Sequence, residues 1–203
     1  MSELSADQID NRDLLAAGKR YSLLSFLWRG SLGFCLVSLL VFATVAFAER
    51  WMYQTLGVAG AYTVWTLLFM LLGASVFLPL IINKARRLQF YFLFSLAFLC
   101  YAIGWIAAWF LVRGKLGEWL GSLGGSILMA MAFAAGFRAW RILLKLIIVL
   151  FVTNSIGYFI GDALNNLLSG KLGMLTWGAV YGFGLGAGLA AVLYFVQADS
   201  REP

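Results

Sequence analysis

Apolar residues occupy this chain in six long runs, and polar or charged residues fall mainly in the gaps between them. The runs cover residues 31–48 (extending toward Trp51), 58–83, 90–112, 119–137, 142–164 and 173–197. Each is near the roughly 20 residues that a helix needs to cross about 30 Å of hydrocarbon. None alternates with period two, and a backbone in lipid must satisfy its own polar groups, so the runs predict helices. The expected fold is all-α: a polytopic membrane bundle of six transmembrane helices. Residues 1–27 read as a polar cytoplasmic segment with an interfacial helix over 21–28, residues 28–197 as the transmembrane domain, and residues 198–203 as a short cytoplasmic tail.

The gaps orient the bundle. Arg12, Lys19, Arg20 and Arg29 precede the first run. Lys84, Arg86 and Arg87 follow the second, Arg138, Arg141 and Lys145 follow the fourth, and Arg201 follows the sixth. Only Arg50, Arg113, Lys115 and Lys171 fall in the other gaps. Lys and Arg accumulate on the cytoplasmic side, so both termini are expected there. Trp28, Trp51, Trp109, Trp119, Trp140 and Trp177 lie near predicted span ends, where aromatic belts form. The runs at 119–137 and 142–164 are separated only by a basic stretch, and a tight turn near 136–141 is expected. Ala46-Phe47-Ala48 has the form of a signal-peptidase site. The long, partly acidic segment ahead of it favours an uncleaved first helix. No solenoid-type period is apparent, and the two halves show no similarity that would support an inverted repeat.

Composition agrees with a lipid solvent. The chain is 63% hydrophobic and 12% charged, against about 25% charged in soluble domains. The net charge of +6 belongs to residues beside apolar runs, so anionic headgroups rather than nucleic acid are the expected partner. Cys35 and Cys100 fall inside apolar runs and read as free thiols. The chain has no histidine, which removes His-ligated haem, catalytic triads and HExxH metal sites together. No cofactor or metal is expected.

Two runs carry most of the candidate chemistry. In the sixth, Gly178, Gly182 and Gly186 stand four apart, with Ala190 continuing the row, while Gly184 and Gly188 form a second row. Such rows let helix backbones approach closely, either within the chain or against a second copy or another membrane-complex subunit. In the fifth, Asn154, Tyr158, Gly161 and Asn165 share a face, with Asp162 at its edge and Gly157 and Gly161 as a further small pair. Asn154, Ser155, Tyr158, Asp162 and Asn165 are the candidate lining of a polar pathway or pocket, since polar groups at membrane depth face the bundle interior or a wet cavity. The plainer alternative is interhelical hydrogen bonding, with Asp162 paired to Lys171 or Lys115. Arg138, Arg141 and Lys145 are too few for a voltage sensor and read as topology anchors.

Enzymatic readings find little support. Away from the termini the carboxylates are Glu49, Glu118 and Asp162. Lys145 and Ser155 are ten residues apart, about 15 Å along one helix, too far for a dyad. Glu118 and Asp162 are left as a conceivable acid/base pair at the outer face. In size, span count and orientation the chain resembles the substrate-binding subunits of energy-coupling-factor vitamin transporters. The Ala-x-x-x-Ala docking pattern of that family is absent from residues 31–48, so the resemblance is architectural and assigns no residues. The expected function is non-enzymatic: translocation of a small solute or ion, or service as a membrane subunit of a transport system, in a bacterial cytoplasmic membrane. The alternatives are a structural or assembly subunit and, behind it, an intramembrane enzyme.

Overall fold

A computed structural model describes residues 22–81 and 87–199. Most of the polar segment expected at 1–27 and most of the tail expected at 198–203 lie outside the described residues. Every long element is an α-helix: α1 (Leu23–Phe77), α2 (Arg87–Val112), α3 (Gly114–Phe137), α4 (Leu143–Leu168) and α5 (Gly170–Asp199). Short 3-10 turns at Leu78–Leu80 and Trp140–Ile142 follow α1 and α3. All five helices are long and apolar enough to cross a membrane. The chain is a multi-pass membrane protein by that measure. Its outward face is correspondingly apolar, with Phe92 71% and Leu111 83% exposed.

Helix α1 has 55 residues and would be about 80 Å long if straight. It is not straight. Gly57 has φ 69° and ψ 173°, outside the helical region. The limbs on either side, 23–56 and 58–77, fold against each other. Phe34 stacks on Phe69 and Phe77 at ring-centroid distances of 6.0 and 5.9 Å, and Tyr53 meets Trp65 at 5.9 Å. The first two apolar runs are thus the limbs of one hairpin. Ser22 caps the first limb by accepting from the Ser25 N–H at 3.3 Å. The helix is continuous through Trp28, so the expected interfacial helix at 21–28 is instead the start of α1. Pro79 stands at the end of the second limb.

The other reversals repeat this geometry. Arg113 (φ 56°, ψ 171°) separates α2 from α3, and Ser169 (φ 52°, ψ 166°) separates α4 from α5. The Arg113 N–H donates to Trp109 O while its carbonyl accepts from Gly117 N, both at 3.1 Å. The Ser169 N–H donates to Asn165 O at 2.9 Å, and its carbonyl accepts from Gly173 N at 3.1 Å. One residue therefore closes one helix and opens the next. Gly57, Arg113 and Ser169 are spaced by 56 residues, and the last two are each followed by Gly-Lys-Leu-Gly.

Burial follows the same period. Phe34, Phe90 and Leu146 are buried, as are Ala61, Gly117 and Gly173, and Phe77, Phe133 and Leu189. The chain is three successive helical hairpins of one plan. This corrects the expectation that no fixed period exists: the repeat is in backbone and burial, and residue identity keeps it at few positions, among them Gly-Lys-Leu-Gly in the second and third hairpins and Phe34/Phe90, Phe42/Phe98 and Phe77/Phe133 in the first and second.

Helix α3 ends as expected near 136–141. Arg138 is left-handed (φ 58°, ψ 32°), with Ala139 N bonded to Ala134 O at 2.9 Å and Arg138 N to Ala135 O at 3.3 Å. This is the double bond pattern of a Schellman stop, here without its usual glycine. At this end Arg141 pairs with Asp199, Lys145 lies 3.5 Å over the Phe195 ring, and Gln197 donates to the Leu80 carbonyl at 3.2 Å.

Both glycine rows of α5 are filled by this chain. A Cβ at Gly186 would fall 2.8 Å from Phe34 Cβ, and one at Gly182 2.9 Å from Phe34 O, so the 178/182/186 row lies on the first limb of α1. The second row lies on α4: a Cβ at Gly184 would fall 2.8 Å from Gly157 Cα, and one at Gly157 3.0 Å from Val180 O. Gly161 makes room for Trp177. Neither row is left open for a second copy or another subunit.

Left-handed and extended positive-φ conformations cost non-glycine residues about 1–3 kcal/mol, and a glycine gives back about 0.5–1 kcal/mol of that in chain entropy. Ser169→Gly is therefore expected to raise the thermal unfolding midpoint of the detergent-solubilised chain, by about 1 kcal/mol of stability. Gly57→Val should lower it although a Cβ there meets nothing within 4 Å. An unchanged midpoint in both variants would show that the reversals carry no strain.

Candidate functional site

Helices α2 to α5 converge on a buried polar chain. Tyr181 OH donates to Tyr101 OH at 3.2 Å, and Tyr101 OH donates to Asn154 Oδ1 at 3.0 Å. Asn154 Nδ2 donates to Ser122 Oγ, which also bonds Ser155 Oγ, each at 2.8 Å. Asn154 and Ser122 are fully buried. Four helices are therefore joined through five side chains. Glycines on α3 make this possible: a Cβ at Gly125 would fall 2.7 Å from the Tyr101 ring, and one at Gly121 3.0 Å from Trp105. At Gly104 the α2 backbone lies against Gly124 and Gly125 directly, where a Cβ would be 2.8 Å from either.

Tyr101 is also one wall of a cavity of about 600 Å³. The other walls are Phe42, Tyr62, Trp105, Ile106, Trp109, Phe110, Tyr158, Trp177 and Tyr181. Nine of these ten residues are aromatic and none is charged. Trp109 is four residues and Tyr101 twelve residues from the Arg113 reversal, so the cavity lies about 6 to 18 Å from the turn end. Beyond it the bundle is closed by stacked rings: Phe69 on Phe98 at 5.5 Å and Phe77 against Phe94 at 5.7 Å. The cavity opens between the second limb of α1 and α2, where Tyr62, Ile106 and Phe110 are exposed.

Above the aromatic walls, Lys115 Nζ binds Glu118 and Asp162, each at 3.0 Å. Asp162 lies one turn beyond Tyr158 on α4. Of the two partners expected for Asp162, the structure selects Lys115. Lys171 instead lies 4.5 Å over the Phe47 ring. The two carboxylates named as a conceivable pair, Glu118 and Asp162, do come together, but around one lysine. Among the described residues no three Cys, Asp or Glu side chains gather as a metal site requires. Cys35 and Cys100 are free thiols.

The five residues expected to share a pocket separate into three settings. Tyr158 lines the cavity. Asn154 and Ser155 lie in the hydrogen-bonded chain, Asn154 one residue behind the wall through Tyr101. Asp162 belongs to the charged trio at the turn end, and Asn165 sits at the α4–α5 reversal, its side chain against Gly173. Gly157, Gly161 and Gly184 bring α4 and α5 into close contact. Half of the ten walls come instead from α2, outside the two runs expected to carry most of the chemistry. The overlooked signal is in α3, where Gly117, Gly121, Ser122, Gly124, Gly125 and Ser126 form a small-residue run as dense as that of α5. Opposite it α2 carries Tyr101, Trp105 and Trp109 at four-residue intervals.

Fold and site together define a class: a multi-pass membrane helix bundle with an aromatic cavity near one end. No protein-family model, no curated protein and no solved structure matches this chain.

Asn154→Leu would leave the Tyr101 hydroxyl without its acceptor and remove one donor to Ser122. A loss of about 1–3 kcal/mol is expected. Ser155→Ala, which removes only the last member of the chain, should cost under about 1 kcal/mol. Equal losses in thermal or denaturant unfolding in detergent would refute the ordering.

Proposed function

We propose that this chain crosses a bacterial cytoplasmic membrane six times, with both termini in the cytoplasm, and binds a small solute from the opposite side as a non-enzymatic component of a transport system. The cavity of about 600 Å³ carries the proposal. Its size is that of small-molecule sites, which are apolar and aromatic with a few polar groups. Here the polar groups are the hydroxyls of Tyr62, Tyr101, Tyr158 and Tyr181. Tyr158 would touch the solute, Asn154 and Ser155 would hold the polar chain that positions Tyr101, and Asp162 and Asn165 would stand toward the mouth.

Two observations support the orientation. Each long helix packs antiparallel to its neighbours, through pairs such as Phe34 with Gly182, Tyr101 with Gly125 and Gly157 with Gly184. All three reversals therefore share one end. Eleven of the fifteen Lys and Arg residues stand, along the sequence, near the chain termini or the two connections that belong to the other end, and such bias marks the cytoplasmic side.

The alternative, a structural or assembly subunit, drew on the glycine-rich α5. With both glycine rows covered by α1 and α4, the cavity is the stronger feature.

The test uses a single cysteine. In a Cys35→Ser/Cys100→Ser background, Tyr158→Cys should react with a charged, membrane-impermeant thiol reagent added outside intact cells, and the modification should block access to the cavity. A cysteine unreactive from outside but reactive in inside-out vesicles would reverse the orientation. One unreactive from both sides would end the solute-site reading.

A further inference from the structure

We propose that the cavity is built for an organic cation with an apolar body, of the quaternary ammonium or phosphonium class. This rests on the solute-site reading above and adds the charge and shape of the solute.

Aromatic faces carry negative quadrupole potential and attract a cation within about 6 Å, most strongly when the site is desolvated. The cavity presents three tryptophans and four tyrosines to one space, with no Lys or Arg among its walls. Most of its ring contacts are also at steep angles, Trp105 with Trp109 at 31° being the exception. Trp105 and Tyr158 meet at 54°, Tyr158 and Trp177 at 68°, Tyr158 and Tyr181 at 82°, and Phe42 and Trp177 at 65°. A flat ligand needs parallel plates on either side. Rings turned against one another form a box, which fits a rounded group approached from several directions.

Charge near the mouth points the same way. Asp162 and Glu118 share one lysine, so the trio retains about one negative charge, one helical turn from Tyr158. Arg50, Arg113 and Lys171 share this end of the bundle and, like Asp162 and Glu118, are not among the walls; the carboxylates weigh more because Asp162 follows the wall residue Tyr158 by one turn of the same helix. The opening between Tyr62 and Phe110 lies within about 8 Å of the Gly57 and Arg113 reversals along their helices, at the turn end of the bundle. A lipophilic cation at the membrane interface would meet it directly.

The experiment measures equilibrium binding of tetraphenylphosphonium to the purified full-length chain in detergent, with tetraphenylborate as competitor. The two ions have nearly the same shape and opposite charge. Saturable binding of the phosphonium at one per chain is expected, with the borate at least tenfold weaker. Trp105→Leu and Asp162→Asn should each weaken phosphonium binding fivefold or more, and Trp105→Phe, which keeps a ring face, should weaken it less. Thermal midpoints of the same preparations separate lost binding from lost folding. Should Trp105→Leu fail to fold, Trp105→Phe and Asp162→Asn still decide.

Equal binding of the two ions would overturn the proposal and leave an apolar solute site indifferent to charge. Wild-type affinity in all three variants would place the binding outside the cavity and overturn it as well. Absence of binding by either ion, with Tyr158→Cys reactive from outside, would overturn the cation and keep the solute site. Absence of both binding and reactivity would end both.

Discussion

A helix in lipid gains no hydrophobic driving force by packing on another helix, because the tails it leaves are as apolar as the side chains it meets. Contact must come from close fit and hydrogen bonds. In this chain the fit is made by glycine. Helix α5 lies with one row of glycines on the first limb of α1 and a second row on α4, so its backbone touches two neighbours at once. That places α5 inside the bundle, where Leu185, Leu189, Leu193 and Val196 are almost fully buried. The positions of α1 and α4 follow from it, and so does the direction in which Trp177 and Tyr181 project.

Where glycine faces glycine the helices close. Near the turn end, glycines that face aromatic rings set those rings around a room. On α3, Gly121 and Gly125 receive Trp105 and Tyr101 of α2. On α4, Gly161 receives Trp177. Those rings fill the depth of the bundle without sealing its turn end, and the cavity is the space their edges and faces enclose. The polar chain from Tyr181 to Ser155 runs along its inner wall. In a medium that offers no water, each of those hydroxyls and amides needs a partner from the protein. Satisfying them ties four helices together at the height where the cavity ends.

Much of the fold was legible along the chain. The apolar runs became helices with boundaries close to the expected ones, because a stretch too long and too apolar for water has one way to satisfy its backbone in lipid. The turn at Arg138 was legible from three basic residues interrupting an overlong run. Gly57 was harder to read. A lone glycine between apolar stretches looks like any other small residue, and only its φ shows that it reverses the chain. The 56-residue repeat was hidden for a related reason. Lipid-facing positions accept many apolar side chains interchangeably, so the hairpins share burial and turn geometry while their residue identities have drifted apart.

The candidate site was legible only in part. Asn154, Ser155 and Tyr158 stood out as polar groups at membrane depth, and each proved to be in the polar chain or the cavity wall. Tyr101, Ser122, Trp105 and Trp109 did not stand out, since aromatic and small residues in an apolar run look like packing or membrane-interface belts. By itself the sequence determined the solvent, the helical class and which residues are too polar to face lipid, all of which follow from transfer energies that act residue by residue. Only the tertiary structure decided which helices touch, that glycine would be spent within the chain rather than on a partner, and that rings from five segments would enclose one space. Those outcomes depend on the fit of surfaces far apart along the chain, and no local pattern encodes the shape of the surface that a residue will meet.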